Sequence, residues 1–333
     1  MERLRRMRGL GPSLAPALAL MLALFLALTP AAASARPGKG VYPPWSRGND
    51  PAPHGYVFRV GSVDNVPDLH GDPQGARLNL FVGGNQFMVM PALIRAFVRR
   101  HPRLRGRIFY ETLPPGILLR QMRRRDTLTL GNLTLRVVPD VYEAGARKVR
   151  ALRRAGRVRQ TVAYASNNLE IMVRRGNPLR IRGLADLGRG DVRVAMPNPA
   201  WEGVERQIAA ALQRAVGRAL VRRVMVAKLR AGTTYLTHIH HRQTPLRIMQ
   251  GASDAGVTWA SEVRFQEMLG HAIAGVRIPS AQNVRAVYVA GVVAHAPHPR
   301  AAADWLRFLA SPVARRIYQR FGFGAPAQGA GAR

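Results

Sequence analysis

The chain has 333 residues, 47% of them hydrophobic, with no cysteine and a formal net charge of +33. That length and composition support real cores and exclude a disordered chain. The missing cysteines exclude disulfides, thiolate metal sites, a cysteine nucleophile and a lipobox tether. The charge invites a nucleic-acid reading. Against it, only Lys39, Lys148 and Lys228 among the 51 basic residues are lysines, and the arginines are scattered over many predicted helices. A solvated basic surface that raises encounter rates with small anions is the favoured reading, and no nucleic-acid partner is expected.

The first 35 residues read as a signal peptide: basic MERLRRMRGL, the apolar run ALALMLALFLAL, and a small-residue site at Ala33-Ser34-Ala35. Twelve apolar residues are too few to span a bilayer comfortably. Cleavage after Ala35 is expected to release a soluble periplasmic protein, a monomer. Residues 36–76, rich in Pro, Gly and Asp, read as an irregular N-terminal extension.

Regular structure is expected from Arg77. The strand LNLFVG leads to a helix over Pro91–Arg100 that must stop at His101-Pro102. The strand GRIFYE passes through TLPPG into a helix over Ile117–Arg125. TLTLGNLTLRVV alternates on either side of Gly131-Asn132 and predicts a hairpin over 127–138. Residues 139–156 read as helical, and VAYASNNLEIMVRRGNP as a long extended run. A new unit follows: the short helix RIRGLADL, the strand DVRVAMPNP, the amphipathic helix WEGVERQIAAALQRAVG, then a buried strand and helix in GASDAGVTWASEVRFQEM. A second long extended run, VRAVYVAGVVAHAP, precedes helices over Arg300–Ala310 and Val313–Phe321. Strands alternating with helices predict an α/β fold with mostly parallel sheets. The two long runs, near 162–175 and 284–295, bracket the middle unit as crossing strands would. They divide the chain into lobe 1, residues 77–163 plus 284–333, and lobe 2, residues 164–283.

In open α/β sheets ligands sit beyond the carboxyl ends of the strands, which directs attention to four strand-to-helix seams. They are Gly83-Gly84-Asn85-Gln86, Thr112-Leu113-Pro114-Pro115-Gly116, the turn from Pro197 through Asn198, Pro199, Ala200 and Trp201 to Glu202-Gly203, and Thr258-Trp259-Ala260-Ser261. Any one seam is explained by turn and cap chemistry. Several together fit a shared cleft, in which exposed helix N–H groups, close glycine backbone and neutral side-chain donors suit an oxyanion or a carboxylate.

At these seams the chain resembles the periplasmic molybdate-binding receptors of ABC importers, within the two-lobed type II solute-binding proteins. The resemblance covers roughly residues 77–323. It rests on LNLFVGGNQFMVMPALIRAFVRRHP, PDVYEAGARKVRALRRAG, ASNNLEIMVRRGNPLRIRGLADL, VRVAMPNPAWEGVERQIAAAL, GASDAGVTWASEV and RRIYQRFGF. It implies a two-lobed periplasmic-binding-protein fold whose two crossing strands act as a hinge. It also implies a molybdate- or tungstate-like oxyanion as ligand, delivery to an inner-membrane ABC permease, and no cofactor. Together with the seams, it nominates Gly84, Asn85, Gln86, Thr112, Asn198, Ala200, Trp201, Thr258 and Trp259 as ligand residues. Three departures stand out: Gly84-Asn85-Gln86 where the family has a small hydroxyl residue, Thr112 beside two prolines where it has a serine pair, and Trp259 where it has a tyrosine. The 127–138 hairpin is an insertion.

The stretch THIHHRQTPLRIMQG admits three readings. Its polar residues satisfy local hydrogen bonds; or Arg242 and Thr244, with His241, clamp an anion; or His238 and His240 bind a metal with Glu202 or Glu262 as a third ligand. A guanidinium at Arg242 would suit an organic carboxylate or phosphate. No Gly-x-Ser-x-Gly elbow, His-Glu-x-x-His or Walker loop occurs in the sequence, so no catalytic residue and no enzyme activity are expected.

Overall fold

The computed structural model describes residues 69–130, 133–199, 202–237 and 240–326. The signal peptide, most of the 36–76 extension, Ala200, Trp201 and His238 lie outside the described residues.

The central strand of the first lobe is β2 (Leu78–Val82), which pairs in parallel with β3 (Ile108–Glu111) and β6 (Val141–Gly145). Its residues are buried on both faces because helices cover both. Leu78, Leu80 and Val82 join one core with Trp305, Phe97 and Tyr318 of the helices Pro299–Leu309, Met90–Arg100 and Pro312–Arg320. Phe81 points the other way, into a core with Leu118 and Val149 of the helices Pro115–Arg123 and Ala146–Arg154. The extension contributes β1 (Leu69–His70), antiparallel to β3, so regular structure begins before the expected Arg77.

Two long strands carry the chain between lobes. β12 (Arg285–Val293) is antiparallel to β6 and to the first part of β7 (Val158–Arg174). β7 pairs with β12 as far as Asn168, then from Leu169 with β10 (Ala255–Trp259) and β11 (Ile273–Arg277). Its change of partners therefore falls a little beyond the expected 163/164 boundary. In the second lobe β10, β8 (Val194–Met196) and β9 (Thr234–Leu236) are parallel neighbours. Leu169, Ile171, Val173, Val194 and Val257 form its core with Ile208 and Leu212 of the helix Glu205–Val216. The parallel strands thus lie in two groups, and the hinge strands join them in antiparallel. This is a two-lobed type II periplasmic-binding-protein fold.

The hairpin forms from Thr127–Leu130 and Leu133–Arg136, with its turn outside the described residues. One assignment is corrected: residues 139–156 are not one helix. Val141–Gly145 is β6, a strand buried on both faces, and only Ala146–Arg154 is helical. Val141 packs on one side of the sheet while Tyr142 and Ala144 pack on the other. Five residues running straight into a helix, punctuated only by Gly145, are too few for periodicity alone to resolve.

Candidate functional site

The carboxyl ends of β2, β3, β6, β8 and β10 converge on a cavity of about 520 Å³, walled by both lobes and by the hinge residues Arg285–Tyr288. The first-lobe wall is made of strand-to-helix seams. Pro115–Arg123 and Ala146–Arg154 begin there with no side-chain N-cap bond and no acidic residue in the first turn. Their leading N–H groups and positive dipole ends therefore face the cavity without internal compensation. The seam at Gly145-Ala146-Arg147 went unread because its strand had been absorbed into a helix.

Deep in the cleft Asn85 (7% exposed), Trp259 (5%) and Tyr288 (5%) form a buried floor. Asn85 Nδ2 donates to the Tyr288 hydroxyl at 2.5 Å, and the Trp259 ring meets Tyr288 edge-on at 6.2 Å. Gly84 explains one of the two glycines that open this seam. A Cβ there would lie 3.0 Å from the Thr112 carbonyl oxygen and 3.4 Å from His240 Cε1, a residue of the opposite lobe. With no side chain, the backbone at Gly84 packs tightly on the Thr112 carbonyl and within ordinary contact distance of the opposite lobe.

The rim is cationic. Arg120, Arg147, Lys148, Arg150, Arg206 and Arg285 line the cavity, and Glu202 is its one acidic residue among those described. Glu202 is already engaged by His241. Its carboxylate accepts from the His241 backbone N–H at 2.8 Å, from the His241 Nδ1–H, and from the Thr237 hydroxyl at 2.8 Å. His241 Nε2 lies 3.0 Å from Glu262, whose carboxylate also accepts from the Trp259 backbone N–H at 3.2 Å. Burial alone would lower the His241 pKa. Glu262 and Glu202 outweigh it and push the pKa up to about 10, so the ring is an imidazolium at neutral pH. Burial works against the ionised form of Glu202, but His241 holds its carboxyl below the usual range. The cluster knits three second-lobe loops into one wall.

Of the residues singled out in the sequence, Gly84, Asn85, Trp259 and His240 line the cavity, as does Pro199 beside Asn198. The others do not. Gln86 is fully buried, donating to the Tyr164 hydroxyl (2.7 Å) and accepting from that of Tyr318 (2.8 Å). Thr112 is buried with its carbonyl against Gly84. Thr258 is fully buried in β10, and the Thr244 methyl fills the space a side chain at Gly256 would need. Arg242 lies behind the wall with its guanidinium 4.8 Å from the Phe87 ring centre. Both carboxylates that the metal reading drew on engage His241. Among the described residues no group of three or more His, Asp or Glu is arranged to hold a metal.

The sequence reading missed Arg120, Arg147, Lys148, Arg206, Arg285 and Tyr288. One signal was available: Lys148 is a rare lysine in a chain that otherwise writes arginine.

A family model for bacterial extracellular solute-binding proteins matches residues 78–324. The chain belongs to that family. It is 24% identical over 163 residues to the molybdate-binding protein ModA of Mycobacterium tuberculosis, a match covering 49% of this chain and 56% of that protein. The chain thus spans about half the length of the curated relatives it matches. The sulfate-binding protein SubI from Mycobacterium tuberculosis superposes with a TM-score of 0.61 at 20% identity, over 77% of this chain and 88% of that one. PEB3 with L-phospholactate bound superposes with a TM-score of 0.55 at 14% identity, over 74% and 99%. Among the described residues no helix is long and apolar enough to cross a membrane.

Proposed function

We propose that this protein is a periplasmic receptor that captures a small anion in the cleft between its lobes and delivers it to an inner-membrane ABC permease. It acts as a carrier, not an enzyme, and residues 1–35 serve as its cleavable export signal. The observation that carries this reading is the charge of the cavity lining: six cationic side chains face one carboxylate, and that carboxylate is bound to His241. Two helix N-termini without acidic caps add to the same field. An anion that touches both lobes favours the closed form by its extra contacts there, which is how such a receptor signals loading. The relatives and neighbours named above are described as handling molybdate, sulfate and L-phospholactate, three different anions on one fold.

A molybdate-like oxyanion is the ligand the sequence resemblance implies. An organic carboxylate or phosphate is favoured by a cavity of about 520 Å³, within the range of roughly 300–1,000 Å³ typical of organic-ligand sites. A thermal-shift panel on ligand-stripped mature protein tests the reading with molybdate, tungstate, sulfate, phosphate, organic anions and Zn²⁺. A ligand confined to the folded state adds about 2.7 kcal/mol at one hundred times its dissociation constant. A rise with any anion supports the reading, and a rise with Zn²⁺ alone overturns it.

A further inference from the structure

The cavity has two chemically distinct ends. Its floor is buried and aromatic, with Asn85, Trp259 and Tyr288. Its rim is cationic and drawn from both lobes: Arg147 and Lys148 begin the first-lobe helix Ala146–Arg154, and Arg206 begins the second-lobe helix Glu205–Val216. Arg147 and Arg206 are exposed and Lys148 is half-buried. The acid beside this group is Glu205, next in sequence to Arg206, and burial raises its pKa while Arg206 lowers it. Burial and the positive charges of Arg147, Arg206 and Arg123 depress the Lys148 pKa. A protein surface gains nothing by gathering like charges from two lobes around a half-buried ammonium. An anion seated between them removes the cost, and most effectively when the lobes are together.

Size decides what kind of anion. A bare tetrahedral oxyanion fills one end of a 520 Å³ cavity and leaves the other to water. Resting on the anion-receptor reading above, we propose that the ligand is an organic acid with at least two negative charges, a polycarboxylate or a phosphate ester. Its body lies on the Trp259–Tyr288 floor, and Lys148 and Arg206 grip its charged end from opposite lobes. The two side chains are specificity-determining because each alone offers a single cation, whereas the pair comes together only around a charge dense enough to offset their mutual repulsion.

The test is calorimetric titration of ligand-stripped protein with tricarballylate, glycerol 2-phosphate, acetate, sulfate and molybdate, repeated on Lys148→Gln, Lys148→Arg and Arg206→Gln. Unliganded melting points of the variants control for folding. The expected result is that tricarballylate or glycerol 2-phosphate binds at least about tenfold tighter than acetate, sulfate or molybdate, roughly 1.4 kcal/mol. Which of the two prevails identifies a carboxylate or a phosphate source. Lys148→Gln and Arg206→Gln should each weaken that ligand by about tenfold or more, with Lys148→Arg recovering much of the loss. Tight molybdate or sulfate binding that is indifferent to both Gln variants overturns this inference and leaves the anion receptor standing. Binding of no anion in the panel overturns the receptor reading and this inference with it.

Discussion

The two walls of the cleft are built on opposite electrostatic plans. The first-lobe wall sets helix N-termini that lack acidic caps beside Arg147 and Lys148. The second-lobe wall compensates its charge internally: Glu202 and Glu262 hold His241 between them, and Glu262 also binds the backbone at the start of its helix. On the reading proposed above, the first wall gains stabilisation when an anion arrives, whereas the Glu202–His241–Glu262 cluster of the second is complete beforehand and backs Trp259 and His240. A receptor gains from this division, because only one face need reorganise its solvation on binding.

The strongest way to break the comparison is to remove Glu202. Glu202→Ala leaves a buried imidazolium with Glu262 alone, and breaking a buried pair from one side costs about 3–5 kcal/mol. Urea denaturation should show a loss of that order and looser second-lobe loops, while Lys148→Gln should leave stability nearly unchanged. A loss under about 1 kcal/mol would mean that the second wall does not depend on this cluster.

Two buried carboxyls, one in each lobe, should also differ in the sign of their pH response. Glu143, buried behind the first wall, accepts from Trp305 Nε1 at 2.7 Å, and burial pushes its pKa up to about 7. A raised carboxyl contributes stability that is full below its unfolded value and is lost as pH rises through the folded one. The expected loss from pH 4.5 to above 7 is about 3 kcal/mol. Glu202, held low by His241, contributes in the opposite sense: its share is present above the unfolded value and is lost on acidification. Glu143→Gln keeps an acceptor for Trp305 and should flatten the neutral-range slope. Glu170, raised to about 7 by burial and then by Glu267, leaves part of that slope in place. An unchanged slope in Glu143→Gln would place the titration elsewhere.

These contrasts bear on what could be read from the sequence. The fold was legible because the long runs that became β7 and β12 have lengths and flanks only crossing strands explain, and because Trp305, Leu306 and Leu309 repeat at helical spacing. The site was legible only as a place. Seams identify where strands end, but whether Asn85 and Gln86 face ligand or core depends on Tyr164, Tyr288 and Tyr318, far away in the chain. The cationic rim was hidden for a different reason. In a chain with 51 basic residues, nothing local separates Arg147 or Arg206 from arginines in solvent. Gln86→Ala tests the first point. It should cost about 1–3 kcal/mol by leaving buried hydroxyls unpaired while ligand affinity stays within about twofold. A large affinity loss at wild-type stability would return Gln86 to the site.

The smallest expected effect isolates lobe contact from lobe chemistry. The adjacent glycines differ: a Cβ at Gly83 would meet its nearest neighbour, Pro115, at an ordinary 3.5 Å, whereas at Gly84 it would press on the Thr112 carbonyl at 3.0 Å and reach His240 at 3.4 Å. The Thr112 contact is within one lobe and is felt whether the cleft is open or shut. The His240 contact is between lobes and is felt only when they meet. Gly84→Ala should therefore weaken ligand binding by several-fold, on the order of 1 kcal/mol, with Gly83→Ala as a neutral control. Adding His240→Ala to Gly84→Ala should recover more affinity than His240→Ala restores in the presence of Gly84. If the two substitutions were additive, the strain would lie with Thr112 and the lobes would not be meeting at this glycine.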